Sequence, residues 1–327
     1  MMPKLRVKSS QKHFLKYMPE LPEVETTVRG LRTLVGLVIT DIWTDYFSSH
    51  YHNREEIKNT RYFPSFKKKV DGARIFSANR RGKNILIGLS NGYTIVIHMK
   101  MTGHLMHGEY RKLSEEERKF SKESWVPVKA GGPLSDPKNK FIHLVFSLSD
   151  KKQLVLSDVR RFARVCLFKT ENIMQEEGLK NLGPEPLSPT FTYKVFKKCL
   201  EGKNGPIKKV LMDQKVLAGI GNIYSDEILW RSAIHPLQRV EKMPEVCFKA
   251  IFVSLKSMLK KGINFGGDST SDYRDIRGLR GRFQKEHRAY RRKGLPCERA
   301  GCKGVIKRIV VAGRSAHFCP IHQKIIE

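Results

Sequence analysis

Val24, Val28, Leu31 and Leu34 recur three or four positions apart, which lays them along one face of a helix and predicts a helix over 22–34. Pro22 in the first turn and Gly36 past the far end are ordinary start and stop signals. The period then shortens. Alternating apolar runs at 37–43, 73–78, 84–89, 93–99, 141–146, 153–156 and 164–168 predict strands, with a hairpin turn at Asn91-Gly92. One amphipathic helix followed by many short strands predicts a first domain of the β-sandwich or barrel-like kind. Residues 107–140 interrupt the pattern with charges and Gly131-Gly132-Pro133, and read as a solvated loop with one short helix at 114–120.

Asn181-Leu182-Gly183-Pro184-Glu185-Pro186-Leu187 cannot hold regular structure for long and marks a linker. Helical periodicity follows at 193–200, 206–214, 223–233 and 246–260, and the stretch from Gly262 to Asp268 ends the last helix. Near the C-terminus a strand at 305–311, a turn at Ala312-Gly313 and a returning strand at 315–318 form a candidate hairpin. The expectation is an α+β protein in three parts. An N-terminal helix-plus-β-sandwich domain spans 19–170 and a linker 171–190. A helical domain spans 191–287 and a C-terminal finger 288–327.

Charge narrows the partner. The 62 Lys and Arg outnumber 32 Asp and Glu, for a net charge of +30, a field that favours polyanions, of which nucleic acid is the common one. No apolar run reaches the roughly 18–20 residues that cross a bilayer. Three cysteines are scattered and three crowd the C-terminus, which is no disulfide framework and fits a reducing cytosolic compartment. Residues 1–17 carry five Lys and Arg and no acid, without the apolar core of a secretory signal. They read as an upstream start, a removable leader or a basic arm. The first is preferred, which places 1–18 outside the mature chain.

Four stretches carry candidate chemistry. Removal of Met18 would leave Pro19 with a free secondary amine, and an α-amino group of pKa roughly 7.7–8.0 is partly neutral and nucleophilic near pH 7. Attack of that amine on a sugar C1′ gives an iminium ion that eases later eliminations. Glu20 and Glu23 lie close by in sequence, although a plain helix start explains the same residues. Cys297, Cys302, Cys319 and His322 form two close pairs separated by the hairpin, the spacing of a tetrahedral structural zinc. His317 is too near Cys319 to be a preferred ligand. Gly219-Ile220-Gly221-Asn222 between two helices suits either an interhelix turn or a helix–two-turn–helix phosphate site, with Asn222 capping the second helix. Asn79-Arg80-Arg81-Gly82-Lys83 reads as a solvated turn or as a carrier of Lys83 to a DNA phosphate. Met101 and Phe162, taken alone, read as core.

Together these stretches resemble the formamidopyrimidine-DNA glycosylase (Fpg/Nei, MutM-type) family of base-excision repair enzymes, over almost the whole chain from Met18 onward. The carriers are Met18-Pro19-Glu20-Leu21-Pro22-Glu23-Val24-Glu25, Arg81-Gly82-Lys83, 182–187, Leu211-Met212-Asp213-Gln214 with 219–224, and the Cys-rich end. The resemblance implies that Pro19 is the nucleophile, that Glu20 moves protons at the sugar, and that Glu23 lies in the lesion pocket. It implies phosphate contacts from Lys83, Lys208, Asn222 and Arg314 around the extruded nucleotide. Met101, Arg160 and Phe162 would fill the vacated base stack, and 266–273 would close over the flipped base. The implied partner is damaged double-stranded DNA, bound by a monomer with one structural zinc, in a bacterial-like cytoplasm at the nucleoid and with no membrane. The implied activity is removal of oxidised purines such as 8-oxoguanine, followed by β,δ-elimination. Two other readings are an endonuclease VIII-like enzyme for oxidised pyrimidines and a non-catalytic lesion-binding protein with Pro19 blocked. Val159 and Ala163 depart from the family's usual Pro and Gly around Arg160-Arg161-Phe162, and Asp275-Ile276-Arg277-Gly278 adds positive charge to a loop that is often acidic.

Overall fold

Helix α1 (Leu21–Leu31) forms where the apolar spacing predicts it, with Val24, Val28 and Leu31 buried, and ends in a single tighter turn at Arg32–Leu34. The computed structural model describes residues 18–51, 54–270 and 272–327; the expected extension at 1–17 lies outside them. After α1 come β1 (Ile39–Thr44), α2 (Phe63–Val70), β2 (Ile75–Arg81), β3 (Asn84–Leu89), β4 (Tyr93–His98) and β5 (His104–Gly108). A small excursion follows: β6 (Tyr110–Lys112), α3 (Glu115–Arg118) and β7 (Trp125–Pro127). Then β8 (Ile142–Leu148), β9 (Gln153–Ser157) and β10 (Arg164–Lys169) complete the domain.

The strands form two four-stranded antiparallel sheets, ordered β1-β8-β9-β5 and β10-β4-β3-β2. Their facing sides share one core. Ile42, Leu144, Phe146 and Leu156 come from one sheet, Ile85, Ile87, Ile95 and Val165 from the other, and Val24 and Val28 of α1 join them. This is the expected sandwich. Two expectations need correction. Helix α2 was not predicted, because it offers the core only Phe66 and Val70, too few for a readable period. Residues 107–140 are not merely a solvated loop. Tyr110, Trp125 and Leu134 pack with Trp43, Met106 and Val145 on the outer face of the first sheet. They are scattered through the stretch at no helical or strand period, so no pattern announces them.

The second domain holds α5 (Tyr193–Leu200), α6 (Ile207–Met212), α7 (Asn222–Arg231) and α8 (Glu245–Asn264) around its own apolar core, after a one-turn α4 (Glu177–Lys180). The C-terminal hairpin pairs β11 (Lys307–Val311) with β12 (Arg314–Phe318) through the turn at Ala312-Gly313, both of which take positive φ. Among the described residues no helix is long and apolar enough to cross a membrane.

The Pro- and Gly-rich linker is a fixed joint. Glu185 accepts from Arg80 at 2.6 Å, Arg81 at 3.3 Å and the Gly82 backbone N–H at 2.5 Å. Arg81 in turn donates to the carbonyls of Leu182 at 2.6 Å and Gly183 at 2.7 Å. Ala218, in the loop before α7, donates its N–H to the Pro184 carbonyl at 3.1 Å. The turn at 79–83 is therefore not solvated; both arginines are largely buried and tie the β2–β3 turn to the helical domain.

Glu185→Ala leaves the largely buried Arg81 without a carboxylate and Arg80 with Glu25 alone, so stability should fall by about 3 kcal/mol. Urea unfolding of the two proteins measures it; a loss below about 1 kcal/mol would place the joint elsewhere.

Candidate active site

The start of α1 meets the start of α7. Glu20 is buried, and its carboxylate accepts from the backbone N–H groups of Gly221 at 2.8 Å, Ile223 at 2.8 Å and Tyr224 at 3.3 Å. These are donors that a helix N-terminus leaves without intrahelical partners, at its positive end. The Leu21 N–H also donates to the Gly219 carbonyl at 3.0 Å. The two glycines are required by this approach. A Cβ on Gly221 would lie 2.4 Å from the Glu20 carboxyl carbon, and one on Gly219 2.6 Å from Leu21 Cβ. The glycine turn thus holds a carboxylate of the same chain where sequence reading placed a phosphate. Asn222 is the first residue of α7 and not its cap; its side-chain amide donates to Ser315 Oγ at 3.2 Å.

A cavity of about 300 Å³ opens beside this junction, lined by Met18, Glu20, Lys83, Met101, Gln214, Asn222 and Arg314 among others. Glu20, Lys83, Met101, Asn222 and Arg314, all singled out in the sequence, thereby converge from five separate stretches. Pro19 is buried between two residues that line it. Burial pushes Glu20 above the ordinary carboxylate value, against the pull of Lys83 and the three backbone donors. Burial likewise lowers Lys83, which Glu20 and Glu23 oppose by favouring its charge. Opposite charges on Glu20 and Lys83 favour one another at the cavity wall, and Arg314 adds positive charge beside them. A second hollow of about 370 Å³, against β4 and β10, is lined by Glu55, Glu177, Lys100 and Arg164 and contains none of the expected site residues.

Glu23 sits one layer deeper, with no exposure. It accepts from the Glu20 N–H at 2.8 Å, the Tyr224 hydroxyl at 2.9 Å and the Asp268 N–H at 2.7 Å. Burial, helped by the nearby Asp268 and Glu20, pushes its carboxyl up to about 8. It is not among the residues lining the 300 Å³ cavity; it holds the backbone of its neighbours. Asp268 forms a buried pair with His287 at 2.6 Å. Against burial, which lowers it, that pair holds His287 above its ordinary value.

Met101, Arg160 and Phe162 meet at the surface. The Arg160 guanidinium lies 4.5 Å from the Phe162 ring centroid, and Arg160 Nη1 is 3.3 Å from the Met101 sulfur. Phe162 is 45% exposed, against the core role read for it in isolation. Sequence reading missed what holds the three together. The buried Asp158 accepts from the Tyr46 hydroxyl at 2.5 Å, from Thr102 and from the Ala163 N–H at 2.7 Å, fastening both loops.

Lys208 is corrected. It is entirely buried, its ammonium paired with Asp226 and within 3.2 Å of Ser225 Oγ, so it faces no phosphate in this structure. Asp226 also accepts from the His317 backbone at 3.0 Å and from its ring at 2.8 Å. One carboxylate of α7 therefore ties α6 to the C-terminal hairpin and keeps Ser315 and Arg314 beside Asn222. His317 is used up in this contact and is no ligand.

The ligand atoms of Cys297, Cys302, Cys319 and His322 all lie within 4.8 Å of one another. Cys302 Sγ is 3.6 Å from Cys319 Sγ and 3.7 Å from His322 Nδ1. A zinc tetrahedron with Zn–S bonds of about 2.3 Å has edges of about 3.6–3.8 Å. The other ring nitrogen of His322 lies 3.3 Å from the Trp230 carbonyl, which turns Nδ1 toward the site. The four residues form a structural zinc centre with no open position.

Comparison with known proteins gives three family matches. The formamidopyrimidine-DNA glycosylase N-terminal domain matches residues 18–165, the corresponding H2TH domain 182–274, and the zinc finger found in FPG and IleRS 294–320. A formamidopyrimidine-DNA glycosylase of Chloroflexus aggregans is 35% identical over 316 residues, covering 95% of this chain and all of the relative. That of Desulforamulus reducens is 36% identical over 309 residues, covering 94% and 99%. The Lactococcus lactis Fpg, solved with DNA containing an abasic site, superposes with a TM-score of 0.75 at 31% identity, covering 93% of this chain and 99% of its own. The MutM (Fpg) protein of Thermus thermophilus gives 0.72 at 32% identity, covering 94% and 100%.

The raised Glu23 value has a signed consequence. A carboxyl that keeps its proton to about pH 8 when folded, against 4.5 unfolded, stabilises the fold fully below pH 4.5. That contribution is lost as pH rises through 8. Wild-type stability should therefore decline between about pH 5 and 8 more steeply than that of Glu23→Gln. Denaturant titrations of both proteins across that range measure the difference; parallel curves would show that Glu23 is ionised throughout.

Proposed function

This chain belongs to the formamidopyrimidine-DNA glycosylase family, and on that premise we propose a mechanism for its cavity. The protein is a base-excision repair DNA glycosylase, and its substrates are oxidised purines in duplex DNA. The observation that carries the mechanism is the convergence of Glu20, Lys83, Asn222 and Arg314 on one cavity beside Pro19.

The damaged nucleotide leaves the stack and its sugar enters the cavity. The Pro19 nitrogen, freed when the chain before it is absent, forms a bond to C1′. The C1′–base bond breaks with its electron pair going to the base, which takes up a proton. The product still has a closed sugar ring, with the Pro19 nitrogen and O4′ both on C1′, the nitrogen having given up its proton. Glu20 supplies a proton to O4′, the C1′–O4′ bond breaks to open the ring, and the nitrogen lone pair completes the iminium ion. The iminium draws electrons from C2′, a proton leaves there, and the 3′ phosphate departs. A second elimination expels the 5′ phosphate, and water releases the amine. Lys83, Asn222 and Arg314 hold the phosphates on either side. Glu20 and Glu23 favour the charged form of Lys83 against burial, and positive charge there offsets that of the departing group.

Met101, Arg160 and Phe162 enter the space the nucleotide leaves. Phe162 wedges between bases and Arg160 donates to the orphaned cytosine. All these side chains come from one subunit, so the enzyme acts as a monomer, in a bacterial-like cytoplasm at the nucleoid. The zinc holds the hairpin that carries Arg314.

A duplex carrying a single 8-oxoguanine opposite cytosine tests the activity. The enzyme should release the base and cut the strand, leaving phosphate at both new ends. Lys83→Ala should release base about a hundredfold more slowly. Release from oxidised pyrimidines alone would assign the other branch of the family, and retention of intact duplex would contradict the enzyme.

A further inference from the structure

The described residues between Gly267 and Gly281 make an excursion out of the helical domain, across the end of α1, and back. Its two ends are tied together. Arg282 donates its N–H to the Phe265 carbonyl at 2.8 Å, and Phe283 to that of Gly267 at 3.1 Å. Its root touches the active site through Glu23, which accepts from the Asp268 N–H. Its Tyr273 hydroxyl donates to the Glu23 carbonyl at 3.0 Å.

The far end of the excursion is anchored in the other domain. Ile276 joins the sandwich core against Gly30, where an added Cβ would lie 2.2 Å from its side chain. The His107 N–H donates to the Ile276 carbonyl at 2.7 Å. The charged stretch before β8 supplies the rest. Asp136 receives Arg274 in a bidentate contact, both oxygens at 3.0 Å from Nη2, with Arg274 almost fully buried. Lys138 pairs with Asp272 at 3.4 Å. Asn139 is buried, bonded to His104 at 2.9 Å, and its amide reaches the Gly278 carbonyl at 3.4 Å. Gly278 has φ +79 and no room for a side chain against Pro133 and Asn139.

We propose that residues 133–139, with Asp136 as their charged contact, are a positioning element for the base-release step. They hold the 268–281 loop at its working distance from the extruded base without touching the substrate. Ordering a loop costs conformational entropy, and contacts at its far end offset that cost before substrate arrives. The inference rests on the glycosylase reading and on the family resemblance, which implies that 266–273, the first part of this loop, closes over the flipped base. An abasic sugar has no base to cover, so its cleavage does not need the loop in place.

That difference supplies the test. Single-turnover rates of wild type and Asp136→Ala are measured on two duplexes, one with 8-oxoguanine and one with an abasic site. Asp136→Ala should lose about tenfold or more on the 8-oxoguanine duplex and stay within about twofold on the abasic one. Equal loss on both, or loss on neither, overturns the proposal. If Asp136→Ala does not fold, Asp136→Asn keeps the shape without the charge and is read by the same criterion. Wild-type enzyme inert on both duplexes would overturn the glycosylase reading itself, a separate outcome from a wild type active on both with an unaffected variant.

Discussion

A helix N-terminus leaves backbone N–H groups without intrahelical partners. The start of α7 satisfies three of its own with the carboxylate of Glu20, brought from the other domain. That contact fixes where the chain just before α1 lies relative to the helical domain. Glu20 cannot sit there unless Gly219 and Gly221 lack side chains, and Pro19 then has to lie against the cavity. The residue assigned to proton transfer also joins the two domains, so domain alignment and site geometry are one property.

Around this contact, buried carboxylates do similar work at successive distances. Glu185 fastens the β2–β3 turn that carries Lys83, Asp226 fastens the hairpin that carries Arg314, and Asp158 fastens the loops that carry Met101 and Phe162. In a chain of net charge +30 this division is economical in physical terms. Exposed Lys and Arg are left for the DNA backbone, whose attraction is long-ranged and salt-sensitive. Glu20, Asp158 and Asp226 are buried and Glu185 largely so, in positions where they order backbone N–H groups and arginines and do not repel phosphate.

Local signals were the legible ones. The helix at Tyr193–Leu200 was readable because Phe196 and Leu200 recur on one face. The zinc ligands were readable because metal geometry imposes sequence spacing. The glycines at 219 and 221 were visible, but their cause was not, since Leu21 and Glu20 approach them from two hundred residues away. Lys208 misled for the same reason: its partner Asp226 is an ordinary acid on a helix, and nothing local says that it faces inward. Asp158 and Asp136 carry no pattern at all, and the motif that contains Glu185 does not say what it binds. A lone carboxylate acquires meaning only from the backbone donors or guanidinium that the fold delivers to it.

Two amines stand at the cavity, the Pro19 nitrogen and the buried Lys83, and the central claim chooses the first. Borohydride reduction during turnover freezes the covalent enzyme–DNA intermediate, and peptide mass spectrometry locates it. The account predicts a chain that begins at Pro19, with the reduced sugar remnant on that residue. A remnant on Lys83, or turnover by a chain that still carries residues before Pro19, would contradict it.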